Sequence, residues 1–320
     1  MMLGLVMSEK ESASEVIFRI EDEIAKSEGN FDSIFASLKE RFNTAELSTI
    51  YSLLLGGIKA PNFLRRLICE IDKLREKRNL DDLIDFILDC DNKNFSEPAE
   101  YLNLKVLCIK VISNYKDIKA VPSLLYCLND RKANYKLRLA AAEALGKIGD
   151  KNAVESLIDV VSDEDEKSVY VRESAAIALG MIGDSRALDA FVGILEAKKS
   201  FLNKFTFLKE RILESLSKMD FAGNRRALNA VKKALEDESP QVRINAIETL
   251  MNSQMDEAVG MIKKMLQDCD IEVRKNAVIA LYNLLGDEIL EEIIQDETLS
   301  EDCKTEAQGI LDGDFEEDYE

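Results

Sequence analysis

The sequence predicts an all-α fold, a right-handed solenoid of stacked helix pairs. The first reason is an internal repeat, because the segment 137–150 returns as 171–184, 34 residues later, with small or apolar side chains at the same places. A second apolar pattern follows each copy, so each unit contains two amphipathic helices. A fixed period of this size is typical of solenoids. The composition agrees, since only 14 Gly and 4 Pro occur among 320 residues, and both residue types interrupt helices.

Residues 1–95 are predicted to form a divergent N-terminal helical region, either degenerate repeats or a cap of the solenoid. Apolar residues with a 3.6-residue period begin at Val16, Ile17 and Ile20. Pro61 suits the first turn of a later helix, where the missing backbone N–H has no partner to lose. None of these helices matches the repeat, and the terminal units of a solenoid are atypical because they close its core.

Residues 96–298 contain the repeats, after a polar stretch that ends at Pro98. Each second helix begins with an apolar and a basic residue, followed by small or apolar residues four, five and eight places on. This signature starts at Leu104, Leu137, Val171, Leu208, Val242 and Val273. The register fails near 197–207, which predicts an insertion, and insertions in solenoids usually lie in loops on one face.

The best copy of the repeat resembles a known family. The pattern is Val171-Arg172-x-x-Ala175-Ala176-x-Ala178-Leu179-Gly180-x-Ile182-Gly183-Asp184, followed by Ala187-Leu188 and Phe191. It resembles a HEAT repeat of the phycobilisome-lyase-like subclass, closely over 136–197 and only in architecture before residue 99. The resemblance implies that the arginine-bearing helices line the concave wall of the superhelix. It also implies an alternative function, that of a cofactor-handling lyase or chaperone.

An arginine recurs near the start of these helices, at Arg138, Arg172, Arg243 and Arg274. The four arginines could reach acidic groups in the turns between repeats, such as Asp130, Asp163, Asp237 and Asp268. Because ion-pair networks of this kind are common without a function, we interpret the arginines as a structural ladder. Phosphate binding is the alternative interpretation.

The outward positions of the same helices vary from repeat to repeat. The predicted partner-binding residues among them are Glu143, Lys147, Glu173, Ile177 and Met181. A structural core has no reason to select such a mixture, whereas a contoured protein-binding groove does. A merely solvated face explains the mixture equally well, so both interpretations stay open.

The insertion supplies a second predicted partner-binding group: Lys198, Lys199, Phe201, Lys204 and Phe205. Aromatic side chains flanked by bases on a loop often anchor an interface, where one or two buried rings supply most of the binding energy. Alternatively, these residues form a helix that completes a degenerate repeat. The two interpretations differ in whether the aromatic rings are available to a partner.

The chain contains no histidine, so the usual general base and the most common metal ligand are missing. The HEAT-fold di-iron hydroxylases are excluded for the same reason. The sequence also lacks a Walker A motif and a Cys-rich zinc pattern. We therefore predict a non-catalytic scaffold or adaptor without cofactor or metal, for example a subunit or assembly factor of a larger cytosolic complex.

The charge is unevenly distributed. The net charge is −19, and residues 287–320 hold 15 acids and one base, which predicts an acidic C-terminal tail at 299–320. Residues 198–233 carry ten bases and three acids. This basic segment leaves nucleic-acid binding as an alternative, but a pI near 4.7 opposes association with phosphates. No apolar stretch is long enough to span a bilayer, and we expect a cytoplasmic protein with protein partners.

Overall fold

The computed structural model describes residues 13–89, 98–197, 204–221, 223–253 and 255–313. Every regular element among these residues is a helix, which confirms the all-α prediction. None of the described helices is both long enough and apolar enough to cross a membrane. The chain divides into two compact units, an N-terminal unit of residues 1–153 and a C-terminal unit of residues 154–320.

The N-terminal unit contains two layers of helices. Its α-helices are α1 (Ala13–Lys26), α2 (Asp32–Arg41), α3 (Thr44–Gly57), α4 (Pro61–Leu74), α5 (Lys77–Leu88), α6 (Pro98–Tyr115), α7 (Val121–Asn129) and α8 (Tyr135–Ile148). The helices α4, α6 and α8 pack in series, as do α3, α5 and α7, and the two series pack against each other. This is the arrangement of stacked helix pairs that the repeat predicts.

The first helices fold for reasons visible in the sequence. Val16 and Ile20, on the apolar stripe of α1, are buried. Asn43 begins α3 with a capping box, in which its side chain and that of Glu46 each accept a backbone N–H of the other. The carboxylate of Glu70 on α4 is buried but forms ion pairs with Lys39, Arg66 and Lys73. Because Lys39 lies on α2, this cluster ties α2 to α4.

The C-terminal unit repeats the same arrangement. Its α-helices are α9 (Val154–Ser162), α10 (Val169–Ile182), α11 (Ala187–Glu196), α12 (Lys204–Leu216), α13 (Arg225–Ala234), α14 (Pro240–Asn252), α15 (Asp256–Met265), α16 (Ile271–Leu285), α17 (Glu288–Gln295) and α18 (Glu301–Asp312). The even-numbered helices α10 to α18 pack in series and form the even layer. Each of them also packs against an odd-numbered partner.

Glycine sets two features of this unit. Gly183 ends α10 with a φ of 68°, a left-handed conformation that glycine adopts without steric cost. Gly180 allows α10 and α12 to approach closely, because a Cβ at this position would lie 2.6 Å from the Cβ of Ser215. The Ser215 hydroxyl donates a hydrogen bond of 3.0 Å to the Ala176 carbonyl. The small residues of the repeat therefore serve close helix packing.

The predicted domain boundaries differ from the observed elements in two places. Residues 301–312, which fall in the predicted acidic tail, form α18 and pack against α16 and α17. The physical reason is the four-residue spacing of Cys303 and Ala307, both fully buried. Helix α12 begins at Lys204, inside the predicted insertion. The remainder of the insertion, 198–203, and residues 314–320 lie outside the described residues.

Candidate protein-interaction face

A basic residue near the start of α6, α8 and α10 binds the end of the preceding helix. Lys105 on α6 donates to the carbonyls of Ile87, at 2.8 Å, and Asp89. Arg138 Nε donates to the Leu128 carbonyl at 2.8 Å, and Arg172 Nε donates to the Val161 carbonyl at 3.0 Å. The last carbonyls of a helix lack partners within it, so these cations satisfy acceptors that would otherwise be orphaned.

The last two arginines of the ladder also bind forward along the solenoid. Arg243 donates to both carboxylate oxygens of Asp268, at 2.9 and 2.8 Å, and to the Asp237 carbonyl at 2.8 Å. Arg274 likewise pairs with Asp302 and donates to the Asp268 carbonyl. The predicted acidic partners therefore differ in part, because Asp237 meets Arg243 through its backbone carbonyl and the bound carboxylate belongs to the following turn.

The guanidinium groups of Arg243 and Arg274 are thus occupied by the protein's own acceptors. Bidentate pairing with a carboxylate uses the same fork of N–H groups that would bind a phosphate. The side chains of Arg243 and Asp268 are each only 8% exposed. This geometry supports the structural interpretation of the ladder over the phosphate-binding one.

The outward positions of the even layer form a continuous mixed surface, which we call the even-layer face. Its residues lie one, five and nine places after the ladder cation. On α10, α12, α14 and α16 they are Glu173, Ile177, Met181, Glu210, Glu214, Lys218, Ile244, Glu248, Asn252, Lys275, Ile279 and Asn283. All twelve are half-buried or exposed, and Met181 is 51% exposed. The structure therefore brings the predicted residues Glu173, Ile177 and Met181 together on one face.

The other two residues predicted for this surface, Glu143 and Lys147, lie on α8 in the N-terminal unit. Both are exposed and hold the same positions relative to Arg138 that Ile177 and Met181 hold relative to Arg172. Their side chains therefore point to solvent, as the repeat predicts.

Two exposed aromatic residues extend the even-layer face at its start. Tyr170 on α10 is 63% exposed and Phe207 on α12 is 59% exposed. Each lies two residues before the ladder cation of its helix, so the repeat places both at equivalent positions. The sequence analysis did not select Tyr170 or Phe207 as site residues. Their shared position relative to Arg172 and Lys209 is the signal that could have found them.

Most cations of the even-layer face are paired. Glu214 accepts a hydrogen bond from Arg211 at 2.6 Å and from Lys218 at 3.0 Å. Burial alone would raise the pKa of Glu214, but these two bonds outweigh it and hold that pKa below its ordinary value. Lys275 lies 3.7 Å from the carboxylate of Glu306 on α18. These pairs leave little free positive charge on the described part of the face.

Two carboxylates on the same face lack such neutralisation. Burial raises the pKa of Glu173 above its ordinary value, and the charge of Arg211 offsets only part of that rise. Burial also raises the pKa of Glu210, where Arg211 again lowers it and Glu173 raises it further. Within the described part of the chain, neither Glu173 nor Glu210 forms an ion pair. The face between α10 and α12 therefore carries excess negative charge that folding has partly desolvated.

The partner-binding residues predicted in the insertion are described only in part. Lys198, Lys199 and Phe201 lie outside the described residues. Lys204 and Phe205 are in the first turn of α12, but their side chains also lie outside the description. Their role in partner binding stays a prediction.

Among the bases of the basic segment whose side chains the structure describes, most are engaged by neighbouring acids. Glu196 on α11 lies 3.5 Å from Arg226 and 3.3 Å from Lys233, both on α13. A shallow depression of about 530 Å³ is lined by these residues. Lys209 pairs with Asp237 at 2.7 Å. This pairing reduces the free positive charge that phosphate binding would require.

Potential metal ligands occur throughout the described segments. These segments contain no cluster of three or more Cys, Asp or Glu side chains that could hold a metal ion. Five cysteines fall within these segments, and all five are free thiols. Burial raises the pKa of Cys108 far above the ordinary thiol value, which keeps that thiol protonated and unreactive.

The comparison with known families agrees with this repeat geometry. A family model described as HEAT repeats matches residues 121–204, 208–281 and 228–308, more than half of the chain. The chain belongs to the HEAT-repeat family. This confirms the resemblance seen in the sequence, and the matched residues include α10, α14, α16 and most of α12. No curated protein matches the chain.

Several solved structures resemble the HEAT chain in fold. The complex of CpcE and CpcF of phycocyanin lyase from Nostoc sp. PCC7120 is 23% identical, covers 74% of this chain and 88% of its own, and has a TM-score of 0.46. Human deoxyhypusine hydroxylase is 18% identical, with coverage of 84% and 96% and a TM-score of 0.36. An engineered protein is 19% identical, with coverage of 64% and 96% and a TM-score of 0.42.

Proposed function

We propose that the protein is a non-catalytic scaffold that binds a protein partner through the even-layer face of its C-terminal unit. The observation that carries this proposal is the composition of the face. Half-buried carboxylates at Glu173 and Glu210 share this face with exposed Tyr170, Phe207 and Met181. Aromatic residues and Met are enriched in the centres of protein interfaces, where charged side chains add specificity.

The raised pKa values of Glu173 and Glu210 support this proposal over a merely solvated face. A solvated carboxylate keeps its ordinary pKa, whereas folding disfavours the charged forms of these two. Such a cost to stability is typical of binding surfaces, which are selected for a partner and not for the free protein. The ladder below the face supplies a rigid support, because its cations are fixed by hydrogen bonds to backbone carbonyls.

The non-catalytic part of the proposal rests on the sequence. Without histidine, a general base near neutral pH would require a carboxylate or lysine with a strongly shifted pKa. Turnover of a small molecule by the purified protein, or a tightly bound chromophore in it, would instead favour the lyase or chaperone alternative.

A quantitative affinity capture tests the scaffold proposal. The wild-type protein and the variant Tyr170→Ser/Phe207→Ser would be immobilised at equal density and exposed to native lysate. The two side chains are exposed, so the variant should keep its melting temperature. We expect the variant to lose most of the specifically retained protein. Equal retention by both proteins would contradict the assignment of this face.

The insertion provides an independent test of its own predicted role. The variant Lys198→Glu/Phe201→Ser should abolish partner capture and leave the free energy of unfolding within about 1 kcal/mol, the range for surface changes. If this variant unfolds instead, the insertion belongs to the core. If it folds and captures normally, the partner does not use the insertion.

A further inference from the structure

The start of the even-layer face pairs an aromatic side chain with a carboxylate on each of two neighbouring helices. On α10, Tyr170 lies three residues before Glu173, and on α12, Phe207 lies three residues before Glu210. Residues three apart share one side of a helix. The two helices approach closely at Gly180 and Ser215, and the charges of Glu173 and Glu210 repel each other. The two aromatic–carboxylate pairs are therefore neighbours.

Within the described residues, no ion pair neutralises the negative charge of Glu173 and Glu210. The charge of Arg211 acts on both carboxylates, but its guanidinium donates a hydrogen bond to Glu214. Glu248, the next acid on the face, is exposed on α14 and also forms no ion pair within the described residues. Since Lys218 and Lys275 are engaged by Glu214 and Glu306, the free charge of the described residues on this surface is negative.

We infer that this part of the face binds a partner segment in which Arg or Lys side chains alternate with apolar ones. The inference rests on the proposed scaffold function and names the chemistry of its partner. An incoming cation would neutralise Glu173 and Glu210 in a partly desolvated site, where an ion pair is stronger than in bulk water. The rings of Tyr170 and Phe207 would contact the aliphatic stem of the cation and its charged end.

The neighbouring helices fit the apolar part of such a segment. Ile177 on α10 and Ile244 on α14 are half-buried on the same face, so alternate side chains of an extended segment would contact them. Arginine suits the site better than lysine, because its planar guanidinium can stack on a ring and pair with a carboxylate at once.

Two labelled peptides test this inference, measured by fluorescence anisotropy with the full chain. The first is an acetylated eight-residue peptide that alternates Arg and Leu, and the second alternates Glu and Leu. The test variant is Glu173→Gln/Glu210→Gln. Its matched control is Glu257→Gln/Glu291→Gln, which changes the net charge equally at exposed positions on α15 and α17. The control is needed because the net charge of −19 attracts any cationic peptide weakly.

We expect the Arg–Leu peptide to bind the wild-type protein, and the test variant to bind it about tenfold more weakly, since two partly buried ion pairs are lost. The control variant should change the affinity by less than about twofold. Circular dichroism and thermal unfolding would verify that both variants fold. Equal weakening in both variants, or equal binding of the two peptides by the wild-type protein, would overturn the inference.

Failure of this inference can be separated from failure of the scaffold proposal. If Tyr170→Ser/Phe207→Ser loses a lysate partner while the Arg–Leu peptide shows no preference for the wild-type face, the face binds a protein of other chemistry. In that case only the basic-segment inference is overturned. If Tyr170→Ser/Phe207→Ser keeps the lysate partner and Glu173→Gln/Glu210→Gln binds the Arg–Leu peptide as tightly as the wild type, both the inference and the scaffold proposal are overturned.

Discussion

Replacing Arg243 with Met should destabilise the C-terminal unit because the ladder carries buried charge. Arg243 links the turn before α14 to the turn before α16, through the Asp237 carbonyl and the Asp268 carboxylate. Methionine has a similar length and keeps the aliphatic packing. The change therefore removes mainly the charge and the hydrogen bonds of the guanidinium.

The expected loss in the free energy of unfolding depends on the Asp268 carboxylate, which Arg243→Met leaves without its ion-pair partner. Asp268 would remain 8% exposed or slightly more, with one backbone N–H bond from Asp270 at 2.9 Å. Removing one partner of a buried ion pair costs about 3–5 kcal/mol. Because Asp268 keeps the Asp270 bond and lies in a turn, we expect about 3 kcal/mol, roughly a hundredfold change in the folded-to-unfolded ratio.

Urea unfolding followed by circular dichroism at neutral pH measures this cost. The matched control is Arg226→Met, whose side chain is 57% exposed and lies 3.5 Å from Glu196. It should cost about 0.5 kcal/mol or less. Adding Asp268→Asn to Arg243→Met removes the unpaired charge and should recover at least about 1 kcal/mol. An equal loss of unfolding free energy in Arg243→Met and Arg226→Met would refute the structural role of the arginine ladder.

The pH dependence of the stability difference between the wild type and Arg243→Met tests whether that difference is electrostatic. Burial would raise the pKa of Asp268, but hydrogen bonds from Arg243 and from the Asp270 backbone hold it below its ordinary value. A depressed pKa contributes stability above the ordinary Asp range, and this stability is lost as the pH falls through the folded-state pKa. The gap between the wild type and Arg243→Met should therefore shrink in acid.

Three further predictions follow from the packing, the face and the end of the chain. Gly180→Ala should destabilise by about 1–3 kcal/mol through the close contact with α12, whereas Gly193→Ala, with open space around its Cβ position, should stabilise by about 0.5–1 kcal/mol in urea unfolding; the same sign for both would be inconsistent with the packing. Glu173→Gln/Glu210→Gln should raise the melting temperature at neutral pH, because a raised folded-state pKa means that the ionised carboxylates cost stability there. This cost disappears once both carboxylates are protonated, so pH-dependent thermal scans should show the two proteins converging as the pH falls to the ordinary Glu range. Deleting residues 314–320 should leave the melting temperature within about 2 °C in calorimetry, and a larger drop would show that this segment packs against the body.

Most of the fold was predictable because the residues that define the repeat are those that pack the helices together. Small residues such as Ala176 and Gly180 are required wherever two helices touch, so their spacing fixes the helices that pack together. The end of the repeats was harder to predict. Cys303 and Ala307 bury α18 inside an acidic stretch, where charge counts dominate the composition and obscure a narrow apolar stripe.

The outward exposure of the candidate site residues was predictable from the repeat, whereas their role in partner binding stays a prediction. The repeat placed Glu173, Ile177 and Met181 on one outward face, and the structure agrees. The importance of Glu210 depends on its proximity to Glu173 on the neighbouring helix α10, which follows from how the two helices pack and not from spacing within α12. The ladder partners were missed in part for a related reason, because a long arginine reaches carbonyls and carboxylates of two different turns.

Site-specific photo-crosslinking can determine whether the even-layer face binds a protein. A photoreactive amino acid would replace Met181 on this face in one variant and exposed Glu257 on α15 in the other. Both variants would be irradiated in native lysate, and crosslinked proteins would be identified by mass spectrometry. We expect position 181 to capture one partner repeatedly and position 257 to capture none above background. The same capture at both positions, or capture at position 257 alone, would contradict the claim.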